Sequence, residues 1–171
     1  MYKQVEMSYD YPIKQKEIIM TTIDSSVYIR RNKLRRIFET EFLKINNAIN
    51  KACKEAGLEA FFIKYSPHLL DRAIQREIDE QYVFDLFGKI TPHVKEIVEF
   101  LEMKPLPEVE AQIDPSVNYR PLRLEITDKN LWLGMTVNPA LPGKSPTMCC
   151  RMAFVNSNRL EGKISTKVIY I

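Results

Sequence analysis

Leu122-Arg-Leu-Glu-Ile-Thr-Asp-Lys-Asn-Leu-Trp-Leu-Gly-Met-Thr-Val137 reads as a β-hairpin. Leu122, Leu124 and Ile126 alternate with Arg123 and Glu125, Asp128-Lys-Asn130 makes the turn, and an apolar return strand runs to Val137. After a Pro/Gly-rich loop, Met148 to Val155 forms a third strand and Lys167 to Ile171 a fourth. Upstream of this segment the apolar period is helical. Leu34, Ile37, Phe38, Phe42, Ile45, Ile49, Ala52, Cys53 and Ala56 recur at steps of three and four, which predicts one long helix from Ser26 to Ala56, stopped by Gly57. Leu58 to Lys64 is extended or a short strand. Ser66 caps a helix that starts with Pro67 and ends near Ile78, and Asp79 caps a short one that Gly88 terminates. Thr91-Pro92 opens another, to about Met103, ahead of a long acidic loop. Helices first and strands afterwards specify an α+β fold, with N-terminal helices packed on a four-stranded antiparallel sheet.

The chain has 171 residues, of which 45% are hydrophobic, enough for one sizeable core. Residues 20–171 are read as one domain. Residues 1–19 are polar and without sustained period, and are either a flexible extension or a mis-assigned leader. The codons for Lys16-Glu-Ile-Ile-Met20 can read AAG-GAG before two isoleucines and AUG, which would place a ribosome-binding element ahead of a start at Met20. A net charge of +3 does not by itself argue for nucleic acid, but its distribution is uneven. Arg30, Arg31, Lys33, Arg35 and Arg36 lie close together with no acid among them, whereas six acids fall between Glu96 and Asp114. Cys149 and Cys150 are neighbours on a strand, point to opposite faces and imply no disulfide framework. The histidines and cysteines show no metal-ligand spacing, so no metal or cofactor is expected. No run of apolar residues has membrane-spanning length and the N-terminus does not read as a signal peptide, so a cytoplasmic protein is expected.

The chemistry is expected in Tyr65-Ser-Pro-His-Leu-Leu-Asp-Arg-Ala-Ile-Gln-Arg-Glu-Ile-Asp79. Four-residue steps carry His68 to Arg72 and Arg76 on one helical stripe, opposite an apolar face of Leu69, Leu70, Ala73 and Ile74. The free N–H groups at a helix start attract phosphate and disfavour a protonated imidazole nearby, so His68 can serve as a proton acceptor. The basic run beside Tyr28 has two readings: a surface that holds an RNA backbone by charge and stacking, or an ordinary solvated helix face.

The segments Tyr28-Ile-Arg-Arg-Asn-Lys-Leu-Arg-Arg36, Lys64 to Glu80, Tyr119-Arg-Pro-Leu-Arg-Leu-Glu-Ile-Thr-Asp128, Asn130-Leu-Trp-Leu-Gly134 and Cys150-Arg-Met-Ala153 closely resemble the RegB family of bacteriophage endoribonucleases. The resemblance starts near Met20 and implies a fold like that of the RelE and YoeB toxins. It further implies a metal-independent nuclease that cuts GGAG in the Shine-Dalgarno regions of early phage messages, stimulated by host ribosomal protein S1. The implied reaction is attack of the ribose 2′-hydroxyl on the adjacent phosphate, giving 2′,3′-cyclic phosphate and 5′-hydroxyl ends. Such a step needs a base, an acid and cations around the phosphorane charge. His68 aligns with one of two catalytic histidines in the family. Arg72 is assigned beside it as a catalytic phosphate ligand, with Arg76, Lys64, Arg31, Lys33 and Arg35 as RNA-binding cations on a monomer. The second histidine aligns with Gly88, so the protein either uses Glu39, Lys89 or His93 instead, or is slower. The alternative is a non-cleaving RNA-binding translational repressor on the same element.

Overall fold

In a computed structural model of the protein, the hairpin forms the centre of a sheet that is larger than expected and mixed in direction. The structure describes the backbone of residues 6–159 and 165–171, and side chains from Ser25 onward. Four helices precede most of the sheet: α1 (Glu6–Glu55), α2 (Pro67–Ile74), α3 (Glu80–Phe87) and α4 (Val94–Glu102). The strands are β1 (Phe62–Tyr65), β2 (Arg123–Thr127), β3 (Leu131–Val137), β4 (Thr147–Val155) and β5 (Thr166–Tyr170).

Residues 1–5 of the expected N-terminal segment lie outside the described residues, and from Glu6 its backbone belongs to α1. The helix therefore begins well before Ser26. Extending an anchored helix adds one hydrogen bond per residue ordered, whereas nucleating a new one is costly. The anchor is the predicted stripe: Leu34, Phe38, Phe42, Ile45, Ile49 and Cys53 are buried, while Ile37 stays exposed. Gly57, at φ +71°, ends the helix with Gly57 N–H donating to Lys54 O and Leu58 N–H to Cys53 O, the paired bonds of a Schellman stop.

The four-stranded antiparallel sheet is corrected to five strands in the order β1-β4-β3-β2-β5. The three central strands pair antiparallel, but β1 lies parallel to β4 and β5 parallel to β2. A parallel edge strand needs a long crossover, and the chain between β1 and β4 supplies one that contains the remaining helices. The short segment before Ser66 is thus a genuine edge strand. Its outer edge is closed from α1: Asn46 Nδ2 donates to Ile63 O at 2.9 Å, and Ile63 N–H donates to Asn46 Oδ1 at 2.8 Å. A side-chain amide takes the place of a sixth strand there.

Leu124, Ile126, Leu133, Met135, Met148, Cys150 and Ile169 turn inward and share one core with the buried apolar residues of the helices. Phe38, Phe42, Tyr65 and Phe84 pack ring against ring with centroids 5.0–6.2 Å apart. The expected alternation places Leu124 and Ile126 in the core, but Leu122 is exposed, and the other face is covered too, with Glu125, Thr127 and Trp132 buried. Arg159 reaches over that face, 5.3 Å from the Trp132 ring centre and 4.9 Å from that of Phe154, and donates to both Glu125 oxygens. At Gly134/Met135 the β3–β4 register slips, so that Arg151 is passed over and bulges outward. Cys149 and Cys150 face opposite ways, and burial pushes the Cys150 thiol far above its ordinary range. No helix among the described residues is long and apolar enough to cross a membrane.

Candidate active site

Where β1 ends, α2 takes over its place beside β4. Tyr65 pairs with Cys150, Ser66 N–H donates to Cys150 O, and the chain then turns into the helix. The predicted cap is present: Ser66, extended at φ −86° and ψ 156°, accepts from Leu69 N–H at 3.1 Å, with Pro67 in the first turn. Leu69, Leu70 and Ala73 are buried, which turns His68 outward into solvent. One turn on, Arg72 Nη1 donates to Ala153 O at 2.7 Å and its Nε to Glu77 Oε1 at 3.3 Å. Because β1 stops at Cys150, the outer edge of β4 beyond it has no strand neighbour. Arg72 supplies the missing donor.

The far end of α2 is held by α1. Arg30 donates from Nε to Ile74 O and from Nη2 to Ala73 O, both at 3.0 Å, so a guanidinium caps the last carbonyls of the helix, that of Ala73 together with Arg76 N–H. Arg31 pairs with Asp71. Much of the basic run thus serves helix packing: Arg30 and Arg31 dock α2, and Arg35 bonds Glu39 and Asn32. Lys33, Lys64 and Arg76 are exposed, and their side chains make no hydrogen bond or ion pair among the described residues. The anchoring role of Arg30 has no local signal in the sequence, because its acceptors lie 43 and 44 residues away.

The helical stripe is corrected at Arg76. Helix α2 ends at Ile74, not Ile78, and Arg76 has φ +60°, a left-handed conformation unusual for a residue with a side chain. The chain therefore swings from α2 to Asp79, whose Oδ1 accepts from Gln81 N–H and Tyr82 N–H at the start of α3. That swing brings Arg76 back beside Arg72 at a pocket of about 400 Å³, together with Glu77, Tyr82, Leu131 and Phe154. His68 does not line it; Arg72 belongs to both the helix of His68 and the pocket wall. A roomier cleft of about 530 Å³ includes Trp132 and Arg159, but there the arginine is already bound to Glu125.

Residues around the first turn of α2 complete the surroundings. Tyr65, three positions before His68, has its hydroxyl pKa raised by burial and by the charge of Glu39, with Arg35 acting in opposition. At the pocket, Tyr82 donates to Asp128 at 2.6 Å, which raises the phenol pKa. Burial raises the Asp128 carboxyl, but bonds from Tyr82 and from the N–H groups of Leu131 and Asn130 outweigh it and leave the pKa lowered. Gly88 is the exposed C-cap of α3 at φ −64°, so it ends the helix without the left-handed turn that glycine alone favours. Ordinary L-residues adopt that backbone.

The family model described as T4-phage endoribonuclease RegB matches residues 23–170. The chain belongs to the RegB endoribonuclease family. It is 60% identical over 149 residues to the endoribonuclease RegB of Enterobacteria phage T4, across 86% of this chain and 97% of that protein. The solution structure of the phage T4 endoribonuclease RegB is similar, with a TM-score of 0.59 at 59% identity, covering 84% of this chain and 94% of that one. Membership in the RegB family makes this phage-type protein an endoribonuclease, and RNA its substrate.

Proposed function

We propose that the protein cleaves GGAG in the Shine-Dalgarno regions of early phage messages by 2′-hydroxyl attack, without a metal. The products are 2′,3′-cyclic phosphate and 5′-hydroxyl ends. The observation that carries this reading is the outward-facing His68 in the capped first turn of α2, a helix tied at its start by Ser66 N–H to Cys150 O and at its C-terminal end by Arg72 and Arg30. His68 handles the proton of the 2′-hydroxyl or of the leaving oxygen. Arg72 retains an Nη2 group with no hydrogen bond among the described residues, and this serves the phosphorane charge. Exposed Lys33, Lys64 and Arg76 steer the RNA backbone, while Arg31 and Arg35 act with their carboxylate partners in place. The protein works as a monomer in the host cytoplasm, on a scaffold of the RelE and YoeB kind, and host ribosomal protein S1 stimulates it by presenting the message.

A second reading, a translational repressor that binds the same element without cutting, is favoured by Gly88 at the position of the family's second histidine. The two are separated with end-labelled RNAs carrying or lacking GGAG, incubated with chelator. Cleavage confined to GGAG is expected, and His68→Ala is expected to abolish it while leaving most of the binding. Full activity in His68→Ala would remove this residue from the mechanism. Gly88→His is expected to raise the cleavage rate by up to about a hundredfold, the scale of one general acid or base. Retention of GGAG RNA without any cleavage would establish the repressor.

A further inference from the structure

The pocket between α2 and the end of β4 has a donor and acceptor pattern that singles out one kind of base. Its size, about 400 Å³, falls within the range of small-molecule sites. Phe154, Leu131 and the Tyr82 ring give it apolar and aromatic walls, suited to the faces of an unstacked base. Most polar groups at its rim are already engaged. The Tyr82 hydroxyl donates to Asp128 and accepts from Asn130, Asp79 Oδ1 caps α3, and two nitrogens of Arg72 are bound. Four groups at the pocket keep bonding capacity among the described residues: Arg72 Nη2, the second carboxylate oxygen of Asp79, that of half-exposed Glu77, and the whole guanidinium of Arg76. Arg76 also has a left-handed backbone, at φ +60°, and that conformation puts it at the pocket.

A carboxylate only accepts hydrogen bonds. Guanine is the base whose Watson–Crick edge presents two adjacent donors, the ring N1–H and the 2-amino group, whereas adenine presents a ring acceptor that a carboxylate repels. An arginine next to it suits the phosphate of the same nucleotide. We propose that this pocket is a guanine-reading subsite, in which Glu77 accepts from the Watson–Crick edge, Phe154 and Tyr82 pack against the base, and Arg76 holds the adjoining phosphate. The proposal rests on the endoribonuclease reading above and names residues that give it sequence specificity.

The test uses the full chain and a set of fluorescent RNAs in which each guanine of GGAG is replaced in turn by inosine, which lacks the 2-amino group. Binding is measured by anisotropy and cleavage on the same RNAs. In the wild type, inosine at one position is expected to weaken binding about tenfold or more, the scale of one lost base-edge contact. In Glu77→Gln that penalty is expected to fall below about threefold at the same position while the others keep theirs. Arg76→Ala is expected to weaken all RNAs alike and to lower the salt dependence by about one phosphate contact. Unchanged discrimination at every position in Glu77→Gln and Glu77→Ala overturns the subsite even if cleavage is intact. Loss of discrimination at one position in a protein that binds but does not cut supports the subsite and overturns the nuclease reading instead.

Discussion

Arg72 donates from Nη1 to the carbonyl oxygen of Ala153 at 2.7 Å, joining the helix of His68 to a strand edge that β1 does not reach. The residue is three-quarters shielded, with side-chain exposure of 24%. Its removal costs more than a surface charge. Arg72→Ala should destabilise the protein by about 1–3 kcal/mol, the cost of a carbonyl that loses its partner, and should also slow cleavage. Arg72→Lys should keep most of the stability, since an ammonium still reaches an acceptor, but lower cleavage because it has no planar fork. Urea unfolding and single-turnover cleavage on both variants check this; equal losses of activity and stability in Arg72→Lys would reduce Arg72 to a structural tie.

Arg76 predicts the opposite combination. Glycine adopts φ +60° without the steric cost that arginine bears, so Arg76→Gly should be neutral or up to about 1 kcal/mol more stable. RNA affinity should nevertheless fall, with a shallower salt slope. Thermal unfolding and a salt titration of binding give the two readouts. A protein that gained stability and kept its affinity would show that Arg76 contributes no RNA contact.

Glu125 carries the largest expected stability effect. Its carboxylate is fully buried and meets both oxygens' needs through Arg159, at 2.8 and 3.1 Å. Arg159→Ala leaves an uncompensated buried charge and should cost about 3–5 kcal/mol. Replacing both partners together, Glu125→Leu with Arg159→Met, should restore much of the loss, because an apolar pair has no charge to desolvate. Denaturant unfolding of the single and double variants forms the cycle that decides it.

The Tyr82–Asp128 bond makes stability depend on pH at both ends. The folded pKa of Asp128 is lowered, so its contribution is present above the ordinary carboxylate range and is lost as pH falls through the folded value. The folded pKa of Tyr82 is raised, chiefly by its bond to Asp128, so its contribution is present below the ordinary phenol range and is lost as pH rises through the folded value. Tyr82→Phe should therefore cost about 1 kcal/mol on a plateau between roughly pH 4 and 10, with the gap to wild type closing beyond either limit. Unfolding curves across that range show the plateau; a constant gap at pH 2 and pH 7 would rule out the linkage.

The local signals proved sufficient wherever structure depends on near neighbours. The α1 stripe from Leu34 to Cys53, the Gly57 stop, the Ser66 and Asp79 caps and the hairpin around Asp128 all depend on residues within a few positions, and each was legible as sequence. The outward placement of His68 follows from the same local rule, since Leu69, Leu70 and Ala73 claim the buried face. Tertiary structure alone decided what depends on distant partners. Four residues of β1 carry no mark of the strand they pair with, and neither β1 nor β5 announces a parallel neighbour. Arg31 reads as a free cation until Asp71 arrives from 40 residues away, and Arg72 as a phosphate ligand until the edge of β4 is seen to end open beside it. Arg76 shows the limit most clearly. Gln75-Arg-Glu77 contains no glycine to mark a left-handed turn, so the local sequence reads as continuing helix. The packing of α2 against β4 and of both α2 and α3 against α1 sets where the chain must turn, and the resulting backbone strain is a property of the folded whole.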